Sequence, residues 1–459
     1  MHNTILLPEF KEIIETRNWE LFKDIVEDLH PAEIAELISA LESEEIWQLL
    51  DSLDIEHKAA IFSHLDINLQ VEITDKISRQ QLAALLTAMP SDDRVDLFKK
   101  FPEEKQENIL PAIEYAERED IRRLASYPEK SAGSVMTSKY ASVPVNITVD
   151  EAIRRLRILA PNKETIYYCY VLNDKRQLVG IVSLTDLILA DPKTLVNDIM
   201  MEDFIYAKVY EDQEEAAKKI QKYDLLAIPV VDDNMVLLGI ITHDDAFDII
   251  TQEQTEDIEK LMAIAGSHEA GVYLQTPVWV HFKNRAVWIV SLAALGLISG
   301  IIIHSYENAL ASFMILALYM PMVADTGGNV GSQSATVIVR AIALGEVQLK
   351  HIFRVLGKEF LVSALLALVL GVLAWLKVMY LSSDSDIPSG FNLSYIAFAI
   401  AIALSIQVIT ATLIGALLPL LAKRFNQDPA VVASPALTTI VDITGLLIYF
   451  NTAKLLLGF

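Results

Sequence analysis

Five stretches in the second half of the chain carry almost no charge, and they restrict the fold more than any other feature. Ala286 to Ile303, Phe360 to Leu376 and Ile387 to Ala422 have no charged residue, Asn308 to Val339 has only Asp325, and Pro429 to Ala453 has only Asp442. A helix needs about 20 apolar residues to cross the ~30 Å hydrocarbon layer of a bilayer, and each stretch reaches or approaches that length. Five transmembrane helices in an all-α membrane domain, residues 277–459, are expected, with the lipid bilayer as a partner.

The charges that remain are placed unevenly. Up to Val280 there are 27 Lys and Arg against 53 Asp and Glu, and from His281 onward 10 against 8, so the net charge of -24 sits in the first half. Binding nucleic acid needs clustered Lys and Arg that displace counterions from phosphate, so this acidity excludes a nucleic-acid partner and invites cations. The single cysteine, Cys169, forms no internal disulfide, and neither a Cys/His zinc spacing nor a Gly-x-x-x-x-Gly-Lys-Ser/Thr phosphate loop occurs. No nucleophile and base pair stands out, so the chain is not expected to be an enzyme. The first residues, Met1 to Ile5, lack the basic start of a cleavable signal. Lys283 and Arg285 precede the first span, Lys350, Arg354 and Lys358 separate the second from the third, and Lys423 and Arg424 the fourth from the fifth, whereas the other connections are acidic. Counting positive residues as inside predicts a multi-pass cell-membrane protein with its N-terminus cytoplasmic and its C-terminus outside.

Ahead of the membrane stretches the chain divides further. Residues 1–130 repeat the i, i+3, i+4, i+7 pattern of a buried helical face at Ile34/Leu37/Ile38/Leu41, Ile46/Leu49/Leu50/Leu53 and Leu82/Leu85/Leu86/Met89. Pro31 suits a first helical position, and Ser43 and Ser91 suit caps. An α-helical, solenoid-like N-terminal domain is expected, serving as a regulatory lobe. Residues 131–250 hold an internal repeat: Ser134-Val135-Met136-Thr137 is answered by Asp198-Ile199-Met200-Met201, and Gly180 to Asp186 by Gly239 to Asp245. Each copy reads as a helix, an apolar strand, a turn, a second strand ending in Ser or Thr and a helix opening near Asp. This pair resembles tandem CBS domains, an α/β module. The resemblance implies adenine-nucleotide binding, ATP among the ligands, with Ser183, Asp186, Thr242 and Asp245 at phosphate and ribose; the same residues equally suit helix caps. Residues 251–276 read as a connecting helix ending near Gly266, rich in Glu253, Glu256, Asp257 and Glu259.

Charges inside apolar membrane stretches mark transport paths, because a lipid-facing carboxylate is costly. Asp442 is the strongest such residue, followed by Asp325 and Arg340. Asn308 to Val339 would be ~48 Å long as one helix, so it should extend out, tilt or break. Pro321 to Gln333, with three Gly and several amide and hydroxyl groups, reads as irregular backbone lining a pore at Gly327, Gly328 and Asn329; small residues packing helices closely is the other reading.

Pro321 to Thr336, Asp428-Pro429-Ala430 and Ser434 to Gly445 together resemble an MgtE-type magnesium channel, as does the order of helical domain, two CBS modules, connecting plug helix and five membrane helices. The resemblance implies a homodimer with an axial pore, closed by cytosolic domains when internal Mg2+ is abundant, and an ion-selecting carboxylate at Asp442. It also brings Ser434 and Thr438 to the pore, with Ser434 standing where some members have Asn. Mg2+ sheds water reluctantly and is held by few carboxylates, which suits one Asp442 per subunit. Asp92 and Asp96, spaced i, i+4, with Asp248, Glu256 and Asp257, form an acidic set whose repulsion bound Mg2+ would relieve, and they are the expected cytosolic metal-sensing residues. A Mg2+-selective, Mg2+-gated channel importing the ion down its electrochemical gradient is the expectation. A proton- or sodium-coupled divalent-cation transporter is the alternative.

Overall fold

The computed structural model describes residues 7–262, 264, 276–385, 387, 390–432 and 435–458. They divide into two units, the first up to Thr251 and the second from Gln252.

The first unit opens with ten helices, α1 to α10, from Leu7 to Ala125, among them α3 (Pro31–Ile38), α4 (Ser43–Asp51), α7 (Arg79–Ala88), α8 (Ser91–Lys100) and α10 (Tyr115–Ala125). Their apolar periodicity becomes one core: Ile34, Ile38, Ile46, Leu49, Leu50, Leu85, Leu86 and Met89 are wholly buried. Burying a Leu or Ile side chain stabilises the fold by roughly 1.5–3 kcal/mol, which outweighs the weak intrinsic stability of helices this short. Pro31 opens α3 as expected, within a capping box between His30 and Glu33. Two expected caps are displaced by one residue. The residue before α4 is Glu42, whose backbone N–H donates to Glu45 Oε2 (3.0 Å), and Pro90 precedes α8, so Ser43 and Ser91 are first helical residues. Their hydroxyls are used elsewhere, Ser43 donating to Glu72 Oε1 at 2.6 Å and Ser91 lying 3.2 Å from Ser138 Oγ.

The repeat folds twice into the same motif. β1 (Tyr140–Pro144), α11 (Val149–Leu159), β2 (Thr165–Leu172), β3 (Leu178–Ser183) and α12 (Leu184–Leu189) form the first copy, while β4 (Ala207–Lys208), α13 (Gln213–Lys222), β5 (Ala227–Val231), β6 (Leu237–Thr242) and α14 (His243–Leu261) form the second. Each has a three-stranded sheet whose first pair is parallel and second antiparallel. The copies interlock through their matched residues. A Cβ on Gly180 would come within 2.6 Å of Met200 Sδ, and one on Gly239 within 2.7 Å of Met136 Sδ, so each copy's glycine seats the methionine of the other. The last helix, α14, begins as part of the second copy and continues to Leu261. The Gly266 end expected for this helix lies outside the described residues.

The second unit is helical: α15 (Val278–Ser305), α16 (Glu307–Ser312), α17 (Met314–Ala343), α18 (Ile352–Leu381), α19 (Leu393–Arg424), α20 (Pro429–Val432) and α21 (Pro435–Leu457). Among the described residues four helices are long and apolar enough to cross a membrane: Val278–Ser305, Leu349–Leu381, Leu393–Arg424 and Ala436–Leu457. The second expected span, α17, has 30 residues, but its middle is taken up by Asp325, Thr326, Asn329, Ser332 and Gln333 and it is not among the four. The expected break comes at Phe313, where φ is -126° and ψ is 70°, between α16 and α17. Pro321 to Gln333 is not irregular; it stays α-helical throughout. The glycines serve close packing instead: a Cβ at Gly415 of α19 would collide with the Gly331 carbonyl of α17, and one at Gly331 would lie 3.2 Å from Ala411 O. α19 is the central helix, packed by α17, α18 and α21, whereas α15 has no buried residue.

Candidate functional site

In the second unit, α17 and α21 each bring one carboxylate into an otherwise apolar stretch. Asp442 is half-buried on α21, and the charged group acting on it electrostatically is Asp325 of α17. Asn329, one turn on, donates from Nδ2 to Asp325 Oδ2 at 3.3 Å. Asp325, Asn329, Gln333, Thr336 and Arg340 are all exposed, and their helical spacing places them along one polar face. The opposite face of α17 is buried. Gly327 and Gly328 belong there: a Cβ on Gly327 would strike Gln407, and one on Gly328 would lie 3.6 Å from Thr438 Cγ2. Of the residues expected to line a pore, Asn329 lies on the polar face, Thr438 is half-buried on α21 against Gly328, and Ser434 is outside the described residues. Sequence reading missed two participants. Ser334 Oγ donates to Glu359 Oε2 at 2.8 Å, joining α17 to α18, and Gln407 Nε2 donates to Val441 O at 2.9 Å beside Asp442. A lone glutamine within an uncharged run was the available signal for the second.

In the first unit, acids of α8 meet Glu164, which just precedes β2, and Asp245 of α14. Asp92 and Asp93 are each pushed up to about 7, first by burial and then by neighbouring charge, from Asp93 and Glu164 on Asp92 and from Asp245 and Asp96 on Asp93. Asp245 is pushed up to about 7 by burial and by Asp92. Asp92 Oδ1 is buried with no hydrogen-bond partner among the described residues. Lys139 is the cation that acts on Glu164, while the wholly buried Arg94 of α8 pairs with Glu117 and with Asp120, the latter at 3.0 Å, and anchors α8 to α10. The expected set is thus partly joined. Asp92 and Asp96 are brought to Asp93, Glu164 and Asp245, of which the first is recognisable as part of an Asp-rich turn and the second carries no sequence signal. Asp248 is held above its ordinary range by burial and Asp244, with His64 opposing. Glu256 is bound to Lys260 at 2.7 Å and Asp257 follows it on α14. Among the described residues no three His, Cys, Asp or Glu side chains converge into a ready-made metal cage.

The four repeat residues bond in pairs at the starts of α12 and α14. Ser183 Oγ lies 3.0 Å from the Asp186 N–H it accepts from and donates to Asp186 Oδ2, closing a capping box at the start of α12. Thr242 donates to Asp245 Oδ2 from its backbone N–H (3.3 Å) and from Oγ1.

Three family models cover the chain. One described as a divalent cation transporter, MgtE, matches residues 320–452, the MgtE intracellular N domain matches 29–130, and the CBS domain matches 132–193 and 196–252. The magnesium transporter MgtE of Bacillus subtilis is 36% identical over 384 residues, 84% of this chain and 82% of the relative. That of Thermus thermophilus is 40% identical over 340 residues, 74% and 73% of the two chains. Among solved structures, the cytosolic domain of the Mg2+ channel MgtE in complex with ATP is 34% identical, with TM-score 0.50 over 52% of this chain and 98% of that one. The soluble part of a magnesium transporter is 32% identical, with TM-score 0.51 over 54% and 97%.

Proposed function

The chain belongs to the MgtE family of magnesium transporters, and on that premise we propose that it passes Mg2+ through a membrane pore whose ion-binding carboxylate is Asp442. The observation that carries this reading is the placement of Asp325 on α17 and Asp442 on α21, two helices packed on each other, each a carboxylate within an otherwise apolar stretch and near enough for Asp325 to act on Asp442. Mg2+ keeps most of its water, so a pore needs to offer it little more than one or two negative oxygens, and weak binding lets the ion leave again. A divalent ion gains roughly 4.6 kcal/mol per 100 mV of inside-negative potential, enough to drive entry without ATP hydrolysis. In this reading the chain is a homodimer in the cell membrane, with its first unit in the cytoplasm and its C-terminus outside.

The same reading makes the α8 cluster the sensor. Asp92, Asp93, Glu164 and Asp245 repel one another while ionised, and Mg2+ settling among them, with Asp96 and Asp248 nearby, would favour the compact arrangement in which the pore is shut. The ATP bound by the related cytosolic domain supports nucleotide binding at the CBS pair in this reading. Ser183 would then cap its helix, and Thr242 hold Asp245, while contacting the ligand.

The test is Mg2+ uptake into dye-loaded proteoliposomes at a set potential. Flux that follows voltage and disappears in Asp442→Asn and Asp442→Ala supports a channel selecting at Asp442. Undiminished flux in both variants would remove that assignment, and flux that requires a proton or sodium gradient at fixed voltage would replace the channel by a coupled transporter.

A further inference from the structure

We propose that Gln407 is a positioning residue for ion selection, its side-chain amide fixing Asp442 of α21 in height and rotation against Asp325 of α17. The inference rests on the transport reading above and adds a residue on a third helix, α19, that touches neither carboxylate.

Gln407 is wholly buried at the centre of the helical unit. Its Nε2 donates to Val441 O at 2.9 Å, and because a carbonyl only accepts, the sense of the amide is settled. Val441 immediately precedes Asp442, and its carbonyl also accepts from Thr444 Oγ1 at 3.1 Å. Two glycines clear the space. A Cβ on Gly445 would lie 2.6 Å from Gln407 Nε2, and one on Gly327 would collide with the same nitrogen. Gly327 stands two residues after Asp325 and Gly445 three after Asp442. One amide therefore sits in notches cut into both carboxylate-bearing helices, each within a turn of its acid.

Packing alone does not call for glutamine. Methionine or leucine would fill similar volume, whereas Gln407 leaves its Oε1 buried with no hydrogen-bond partner among the described residues. An unsatisfied buried acceptor is unfavourable, so what glutamine adds at this position is the hydrogen bond to Val441. A helix held by that bond and by close glycine contact has little freedom to rotate or slide, and discrimination between ions of different size depends on carboxylates staying at a fixed separation.

Two variants test this in proteoliposomes beside the wild type. Gln407→Met keeps the length and removes the donor; Gly445→Ala keeps the glutamine and pushes it out of its notch. Each should raise the KM for Mg2+ by roughly three- to tenfold, the range expected for one lost hydrogen bond, and lower the Mg2+ to Ca2+ flux ratio. Gln407→Asn, which keeps an amide but falls short of Val441, should shift both in the same direction. Wild-type KM and ion ratio in either of the first two variants would overturn the proposal, and if Gln407→Met does not fold, Gly445→Ala decides alone. An absence of Mg2+ flux in the wild type would instead defeat the transport reading.

Discussion

Lys260 Nζ lies 2.8 Å from Asp428 Oδ2 and 2.7 Å from Glu256 Oε1, so one ammonium near the end of α14 bridges its own helix to the residue that opens α20. Partial burial on its own would lower the lysine's pKa, but the hydrogen bonds and charges of Asp428 and Glu256 outweigh it and hold the group above the ordinary lysine range. Glu256 was expected to bind Mg2+; here a resident cation already neutralises it.

A double-mutant cycle measures that bridge. Lys260→Gln and Asp428→Asn should each lower the thermal midpoint of the detergent-solubilised chain, and the double variant should be no worse than the poorer single one. The coupling should be about 0.5–1 kcal/mol at low salt, because the partners are about one-third exposed and solvent screens them. Strict additivity would show that the pair carries no interaction energy.

The acidic cluster predicts a pH dependence with a definite sign. A carboxylate whose pKa in the fold exceeds its value of about 4 in the unfolded chain costs nothing below that pH and destabilises increasingly as pH rises to and through its folded value. Asp92, Asp93 and Asp245, pushed up to about 7, should make the protein more stable at pH 6 than at pH 8. Mg2+ should raise the thermal midpoint markedly at pH 8 and little at pH 6, where protons have already removed the repulsion. An equal Mg2+ shift at both values would sink the cluster as the sensor.

Gly415 and Gly357 should respond oppositely to the same change. Gly415→Ala drives a Cβ into the Gly331 backbone, which cannot yield as a flexible side chain does, and should cost more than about 3 kcal/mol or prevent folding. Gly357→Ala on α18 meets nothing within 4 Å and should be neutral or stabilise by up to about 1 kcal/mol through helix propensity. Thermal unfolding of the two variants checks the contrast.

Thr242→Ala separates the two roles of the repeat motif. Loss of the Oγ1 hydrogen bond to Asp245, with the backbone N–H bond kept, should destabilise the protein by about 1 kcal/mol. If Thr242 also contacts nucleotide, calorimetric titration with ATP should show weaker binding than in Ser43→Ala, which likewise removes a hydroxyl donating to a carboxylate but in the N-terminal helices. Unchanged ATP affinity would leave Thr242 a cap only.

Much of this was readable before any coordinates. Heptad-like spacing named the buried faces around Ile38, Leu50 and Leu86, because short helices are held by burial and burial imposes its period. The repeat was readable for a similar reason: Met136 and Met200 recur because each must fill the notch opposite a glycine. Pro321 to Gln333 was misread because glycine and proline loosen a chain in water, whereas between helices glycine admits close contact and the helix continues. Glu164 and Gln407 were invisible for another reason. Each matters only through residues far along the chain, Asp92 for one and Val441 for the other, and no local pattern records such a meeting.

The meeting of Gly331 with Gly415 also bears on how this protein can vary over time. A side chain at position 415 is opposed by backbone, which every residue type shares, so no exchange at position 331 can make room for it. Compensating pairs, the usual route by which cores drift, are closed here. Across a deep set of descendants, position 415 should therefore stay glycine while the apolar residues around it turn over freely.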